Sequence, residues 1–162
     1  MTQEELMAIR DKFIRVMLAD DLGADTQIDA WMALLDENCE WTLMATGETF
    51  RGTEVVKRFA HVAVASRDHT KDDHMVFTNS LAGEEGFCVE YTHRGVYTQQ
   101  GSSIVKQSSS GVLTPQEGTL FEVKICIVCH VKEGKIDRAH EYFDLIQVTS
   151  PVGSQPRLFT SD

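Results

Sequence analysis

From Leu6 to Val62 the apolar side chains recur every three or four positions, and from His74 onward they recur every two, so the chain changes period once along its length. Leu6, Ile9, Phe13 and Val16 predict a first helix with Arg10, Lys12 and Arg15 turned outward. Thr2, followed three residues later by Glu5, makes a capping box at its start. After a break at Asp20-Asp21-Leu22-Gly23, Asp25 or Thr26 is the expected N-cap of a shorter second helix carried by Ile28, Trp31, Met32 and Leu35. Residues 39–44 alternate Cys39, Trp41 and Leu43 against Glu40 and Thr42, which predicts a strand that turns at 45–48. Thr53 is then expected to cap a third helix whose Val55, Val56, Phe59 and Val62 form one apolar stripe.

Period two predicts a strand from His74 to Leu81, a turn at 83–86 and a long strand from Phe87 to about Thr98. Residues 99–118, rich in Ser, Gln and Gly, read as a long loop or a poorly paired hairpin tip. Phe121, Val123, Ile125, Ile127, Cys129 and Val131 alternate along the next strand, Glu133-Gly134 turns the chain, and residues 136–148 run back. Helices first and an antiparallel meander afterwards predict an α+β fold, because parallel strands need a crossover between them. Residues 1–149 form the expected domain, and 150–162 a C-terminal tail.

Composition narrows the function classes. A chain of 162 residues, 42% apolar and 25% charged, suits one domain around one core. A formal net charge of -10 opposes a phosphate backbone or an anionic lipid surface, so neither nucleic acid nor membrane is an expected partner. No apolar run approaches the roughly 20 residues of a membrane span, and the start lacks the basic-then-apolar order of a secretory signal, which makes a cytoplasmic location the expectation. Cys39, Cys88, Cys126 and Cys129 lie inside strand-like runs, where reduced thiols act as small hydrophobes.

The order of three helices, a short hairpin inserted after the second, and four long strands resembles the nuclear transport factor 2-like superfamily. Phe50-Arg51-Gly52-Thr53-Glu54-Val55 is similar to that superfamily's aromatic-x-Gly-x-x-[Ile/Val] opening of helix three. Gly134-Lys135-Ile136, followed by Tyr142-Phe143-Asp144 and Gln147, resembles the ending of SnoaL-like domains, a group of polyketide cyclases. This likeness implies a cone-shaped α+β barrel, with three N-terminal helices packed on a curved, mainly antiparallel sheet around a small-molecule pocket. It also implies a homodimer formed through the outer sheet face. Cyclases, isomerases, dehydratases, epoxide hydrolases and non-catalytic binders all use such a fold, so function has to be argued from the site.

Candidates for chemistry must lie on inward faces, where burial tunes a carboxyl or imidazole for moving protons. On the last strand, alternation separates His140, Tyr142 and Asp144 from Ala139, Glu141 and Phe143, and both parities stay open. Asp144 occupies the place where the SnoaL-like resemblance implies an acid/base carboxylate. Glu141 matches the acidic position that limonene epoxide hydrolases hold just before Tyr-Phe-Asp, but their Arg and Asp two apart are missing, since Val96 follows Arg94 by two. His74 with Asp25 resembles the pair of scytalone dehydratase-like and hexachlorocyclohexane dehydrochlorinase-like proteins, in which the His takes a proton and the Asp orients it. The plainer readings are Asp25 as an N-cap and His74 bonded to Asp72 or Asp73.

His93 shares its parity with Phe87, Val89 and Tyr91, which makes it either a donor to a substrate oxygen or a satisfied core residue. Tyr91, Trp41, Phe143 and Cys126 join it as expected substrate contacts. The places where ketosteroid isomerases carry their acids hold Leu43 or Thr42 and Cys126, which argues against that chemistry. Cys126-Ile127-Val128-Cys129-His130 has the letters of a c-type haem site, but a strand puts residues three apart on opposite faces. The histidines and acids from His69 to His74 have no recognised ligand spacing, so no metal and no cofactor are expected. The resulting expectation is a cofactor-independent acid/base enzyme acting as cyclase, isomerase or dehydratase on a hydrophobic, oxygenated, polyketide- or terpenoid-like molecule. The alternative is a non-catalytic ligand-binding or dimeric accessory module.

Overall fold

The computed structural model describes residues 1–19, 23–65, 73–98, 117–145 and 147. The expectations for the 99–118 loop up to residue 116, for the C-terminal tail, for His69 and Asp72 and for the strand end at 148 lie outside the described residues.

Helix α1 (Gln3–Met17) starts with the expected capping box: Glu5 N–H donates to Thr2 Oγ1 at 3.2 Å, and Thr2 N–H donates to Glu5 Oε2 at 2.7 Å. Its buried face carries Leu6, Phe13 and Val16. Helix α2 (Ala24–Met32) begins ahead of the expected cap: extended Gly23 occupies the cap position without a side-chain bond, which leaves Asp25 in the first turn. Gln27 Nε2 donates to the carbonyls of Val16 and Met17, tying α2 to the open end of α1. Leu35, expected on this helix, instead opens a strand after the helix ends at Met32 with Ala33 as its C-cap.

Helix α3 (Thr53–Ala65) corrects two details of its sequence reading. Thr53 is its first residue and donates its hydroxyl to the Asp36 carbonyl at 2.9 Å, while Gly52, at φ 81°, offers the carbonyl that receives the Val55 and Val56 N–H groups. The buried row is Val56, Ala60 and Val64, flanked by Phe59 stacked on Phe50 at 4.5 Å, whereas Val62 is exposed. A four-residue spacing replaces the expected stripe, and small Ala60 at its centre lets the helix lie close to the sheet.

The sheet runs β2-β1-β6-β5-β4-β3, with β1 (Leu35–Leu43), β2 (Glu48–Arg51), β3 (His74–Ala82), β4 (Gly86–Val96), β5 (Leu120–Lys132) and β6 (Lys135–Phe143). Every neighbouring pair is antiparallel except β1 and β6, which run parallel. The meander read from the sequence thus covers β3 to β6, and the early hairpin closes against the last strand. Phe87, Val89, Tyr91 and His93 of β4, Val123, Ile127 and Cys129 of β5, and Cys39 and Trp41 of β1 are buried. The α+β cone has its core between this face and the helices, where Trp41, Phe13, Leu6 and Ile28 are essentially inaccessible and each contributes roughly 1.5–3 kcal/mol of burial or more. At Gly86 a side chain is excluded by the neighbouring strand, since any Cβ would stand 2.0 Å from the Cys129 carbonyl oxygen. The opposite face shows Val76, Leu81, Val128 and Tyr142 to solvent. Among the described residues no helix is long and apolar enough to cross a membrane.

Candidate functional site

Pairing with β5 decides the parity of β6: Ile127 lies opposite Glu141 and Ile125 opposite Phe143, so Ala139, Glu141 and Phe143 share the inward face of the buried β5 residues. Trp41, inward on the neighbouring β1, donates its indole N–H to Glu141 Oε2 at 2.8 Å. Trp31 packs edge-on against Trp41, with ring centroids 5.1 Å apart, and fixes the indole in place. Burial pushes the Glu141 carboxyl up to about 7, with the Trp41 hydrogen bond pulling the other way. Glu141 is thus a side chain with its neutral and ionised forms both populated near neutral pH.

A second polar centre lies on the same face. His93 is buried, and its Nε2 is 2.8 Å from Oδ1 of Asp73, whose side chain is only 7% exposed. Where Asp73 is ionised it can only accept, and His93 Nε2–H is then the donor. The Phe121 ring meets the imidazole edge-on at 4.9 Å, and Tyr97 and Val123 complete the apolar surround. Between the centres runs an apolar rung of Tyr91, Ile125 and Phe143, paired in register across β4, β5 and β6. Val89, Ile127 and Glu141 form the rung on one side, and His93 with Val123 the rung on the other. Laid flat, about 3.3 Å per residue and 4.8 Å per strand would put Glu141 and His93 roughly 16 Å apart, a span that the curvature of the sheet shortens.

The remaining sequence candidates lie elsewhere. Asp144 follows the end of β6 and is exposed, beside a groove lined by Tyr142, Lys124 and Cys126. His74 is exposed at the start of β3, next to Asp73, whose Oδ1 lies 2.8 Å from His93 Nε2. The Asp25 side chain is 91% exposed and stands 3.8 Å from Nδ1 of His61. Cys126 shares the outward parity of Tyr142 and lies against Cys88, while Cys129 is buried on the inner side, so the two thiols of the haem-like run do face opposite ways. Asp73 was missed as the partner of His93. The signal exists only in register: Met75 opposite His93 carries the residue before β3 onto the imidazole.

The sequence profile of the SnoaL-like domain matches residues 12–139. No curated protein matches the chain. Among solved structures, a candidate SnoaL-like polyketide cyclase from Jannaschia sp. CCS1 superposes with a TM-score of 0.69 at 15% identity, covering 92% of this chain and 94% of that one. A candidate polyketide cyclase from Pseudomonas putida KT2440 gives 0.63 at 18% identity, over 92% and 96% of the two chains. A protein with a ketosteroid isomerase-like fold from Catenulispora acidiphila DSM 44928, in complex with trimethylamine, gives 0.60 at 16% identity over 85% and 88%. At such identities the likeness concerns the fold.

Proposed function

This chain belongs to the SnoaL-like domain family, and from that premise we propose that it is a cofactor-independent enzyme that moves protons on a hydrophobic, oxygenated small molecule, with Glu141 as the proton carrier. The observation that carries this reading is the Trp41–Glu141 pair: an inward carboxyl, fixed by an indole N–H at 2.8 Å, whose proton affinity is raised to about 7.

Ionised Glu141 removes a proton from a carbon next to a substrate carbonyl, and the electron pair moves onto the carbonyl oxygen as an enolate. Tyr91, inward on β4, donates its hydroxyl to that oxygen. Protonated Glu141 then returns its proton to another carbon, which completes an isomerisation, or to a departing hydroxyl, which completes a dehydration. In a cyclisation the enolate carbon instead attacks a second carbonyl of the same molecule, and the new alkoxide takes the proton. The Tyr91–Ile125–Phe143 rung suits a substrate with an apolar middle and oxygens near both ends.

Exchange of carbon-bound hydrogen tests this before any natural substrate is known. A panel of hydrophobic ketones and β-diketones in deuterated buffer is expected to gain deuterium with the wild type, and about a hundredfold more slowly with Glu141→Gln at unchanged fold. Equal exchange by both proteins would remove Glu141 from the chemistry. Ligands that bind without exchange would assign the cone to a binding or accessory module.

A further inference from the structure

Trp31 carries a donor that the acid/base reading does not use. It is the last residue but one of α2, and its indole Nε1 is buried without a hydrogen-bond acceptor among the described residues. An N–H taken out of water and left unpaired costs free energy, and native interiors hold few of them, so the group calls for an acceptor of another kind. One lies beside it: the Trp41 ring, met at 76° with centroids 5.1 Å apart. An edge-on approach sets the positive rim of one ring against the electron-rich face of the other, and the N–H is the most positive part of an indole rim.

The backbone holds Trp31 in this place. Leu34 N–H donates to the Trp31 carbonyl at 3.0 Å, which turns the chain from α2 directly into β1. Two bonds from the start of β6 pin the turn, Ile136 N–H to the Leu34 carbonyl at 2.9 Å and Lys135 Nζ to the Ala33 carbonyl. Both indoles are buried in the core, where close packing leaves neither ring room to turn away.

We propose that Trp31 donates its indole N–H to the face of the Trp41 ring and, through that ring, strengthens the hydrogen bond from Trp41 Nε1 to Glu141 Oε2. Electron density drawn from the Trp41 π system leaves its own N–H more positive, and a more positive donor favours the ionised carboxylate. Trp31 is thus a positioning residue, which touches no reacting atom and lowers the proton affinity of Glu141 through its neighbour. Among the described residues no charged group is paired with Glu141, and burial keeps the nearby Cys129 thiol protonated, so the two indoles supply the polar influence that opposes burial.

Carbon-13 NMR of the Glu141 carboxyl, assigned with Glu141→Gln, tests this without any turnover. Trp31→Phe should raise the wild-type midpoint, expected near pH 7, by about 0.3 pH unit, a gain of about twofold in proton affinity, since polarisation along such a chain changes a bond by roughly 10–30%. If Trp31 only filled space, the smaller ring would admit water to the carboxylate and lower the midpoint. A midpoint that falls or stays put overturns the proposal. The wild-type proton spectrum decides even where the variant does not fold. The chain has two tryptophans, and the Trp31 indole proton should lie upfield of the Trp41 one, shielded by the ring it faces, with nuclear Overhauser contacts to the Trp41 ring protons. An unshielded Trp31 proton overturns the contact. This role takes its catalytic meaning from Glu141 as proton carrier, yet the two fail separately: deuterium exchange reads whether Glu141 moves protons, and these spectra read what sets its proton affinity.

Discussion

His93 and Asp73 stand 2.8 Å apart because Gly95 leaves the carboxylate a place to stand: a Cβ on residue 95 would fall 3.0 Å from Asp73 Oδ1 and 2.9 Å from the Phe121 ring. Gly95→Ala is therefore expected to push Asp73 off the imidazole and to cost about 1–3 kcal/mol, as overpacking of a filled interior does. Urea unfolding reads the cost, and proton NMR reads the pair, since the protected His93 Nε2 hydrogen should give a slowly exchanging signal that the variant loses. A variant that kept both stability and signal would show that the glycine has no part in placing Asp73.

Glu141 makes stability depend on pH in a fixed direction. Its folded value of about 7 lies above that of an unfolded glutamate, so between the two the folded chain holds the extra proton. Stability is highest below the unfolded value, falls as pH rises toward 7 and is flat beyond it, with a total loss of about 3 kcal/mol. Glu141→Gln, which stays neutral, should match the wild type near pH 4.5 and exceed it near pH 8. Denaturant melts at both values decide this, and a variant less stable than wild type at pH 8 contradicts the burial argument.

Trp41→Phe removes the N–H that favours the ionised carboxylate, so Glu141 should hold its proton to higher pH. If Glu141 acts as the base, wild-type turnover rises through pH 7 and levels off above it. The variant's midpoint should move upward along the pH axis. A midpoint that stayed put or moved down would place the titration on another group.

Asp144→Asn and His74→Ala separate the inward site from the positions favoured by resemblance. Both side chains are exposed, so each substitution is expected to change proton exchange by no more than a few-fold. A loss of about a hundredfold in either would move the proton carrier to the strand end or to the start of β3.

Much of the fold was legible because it depends on local periodicity. The capping box at Thr2 and the alternation from Phe121 to Val131 needed no distant information, and both appear as read. Parity on β6 was different. Alternation alone offered Glu141 or Asp144, and only the pairing of Ile127 with Glu141 shows which of them faces the helices. The His93–Asp73 pair was hidden for the same reason, since β3 and β4 must be in register before the two meet. Local pattern also misplaced the stripe of α3, where burial follows contact with the sheet rather than hydrophobicity, leaving Val62 outside and Ala60 inside.

Trp41 stands on the first strand and Glu141 on the last, 100 positions later, and the two strands lie side by side in the same direction. No turn between neighbours can bring such a pair together. During synthesis the early hairpin must wait with one edge bare until the final strand leaves the ribosome, and loop closure over that length is slow. Glu141 therefore gains its indole partner at the end of folding, and a truncated chain lacking the last strand has the makings of a core without this buried carboxyl.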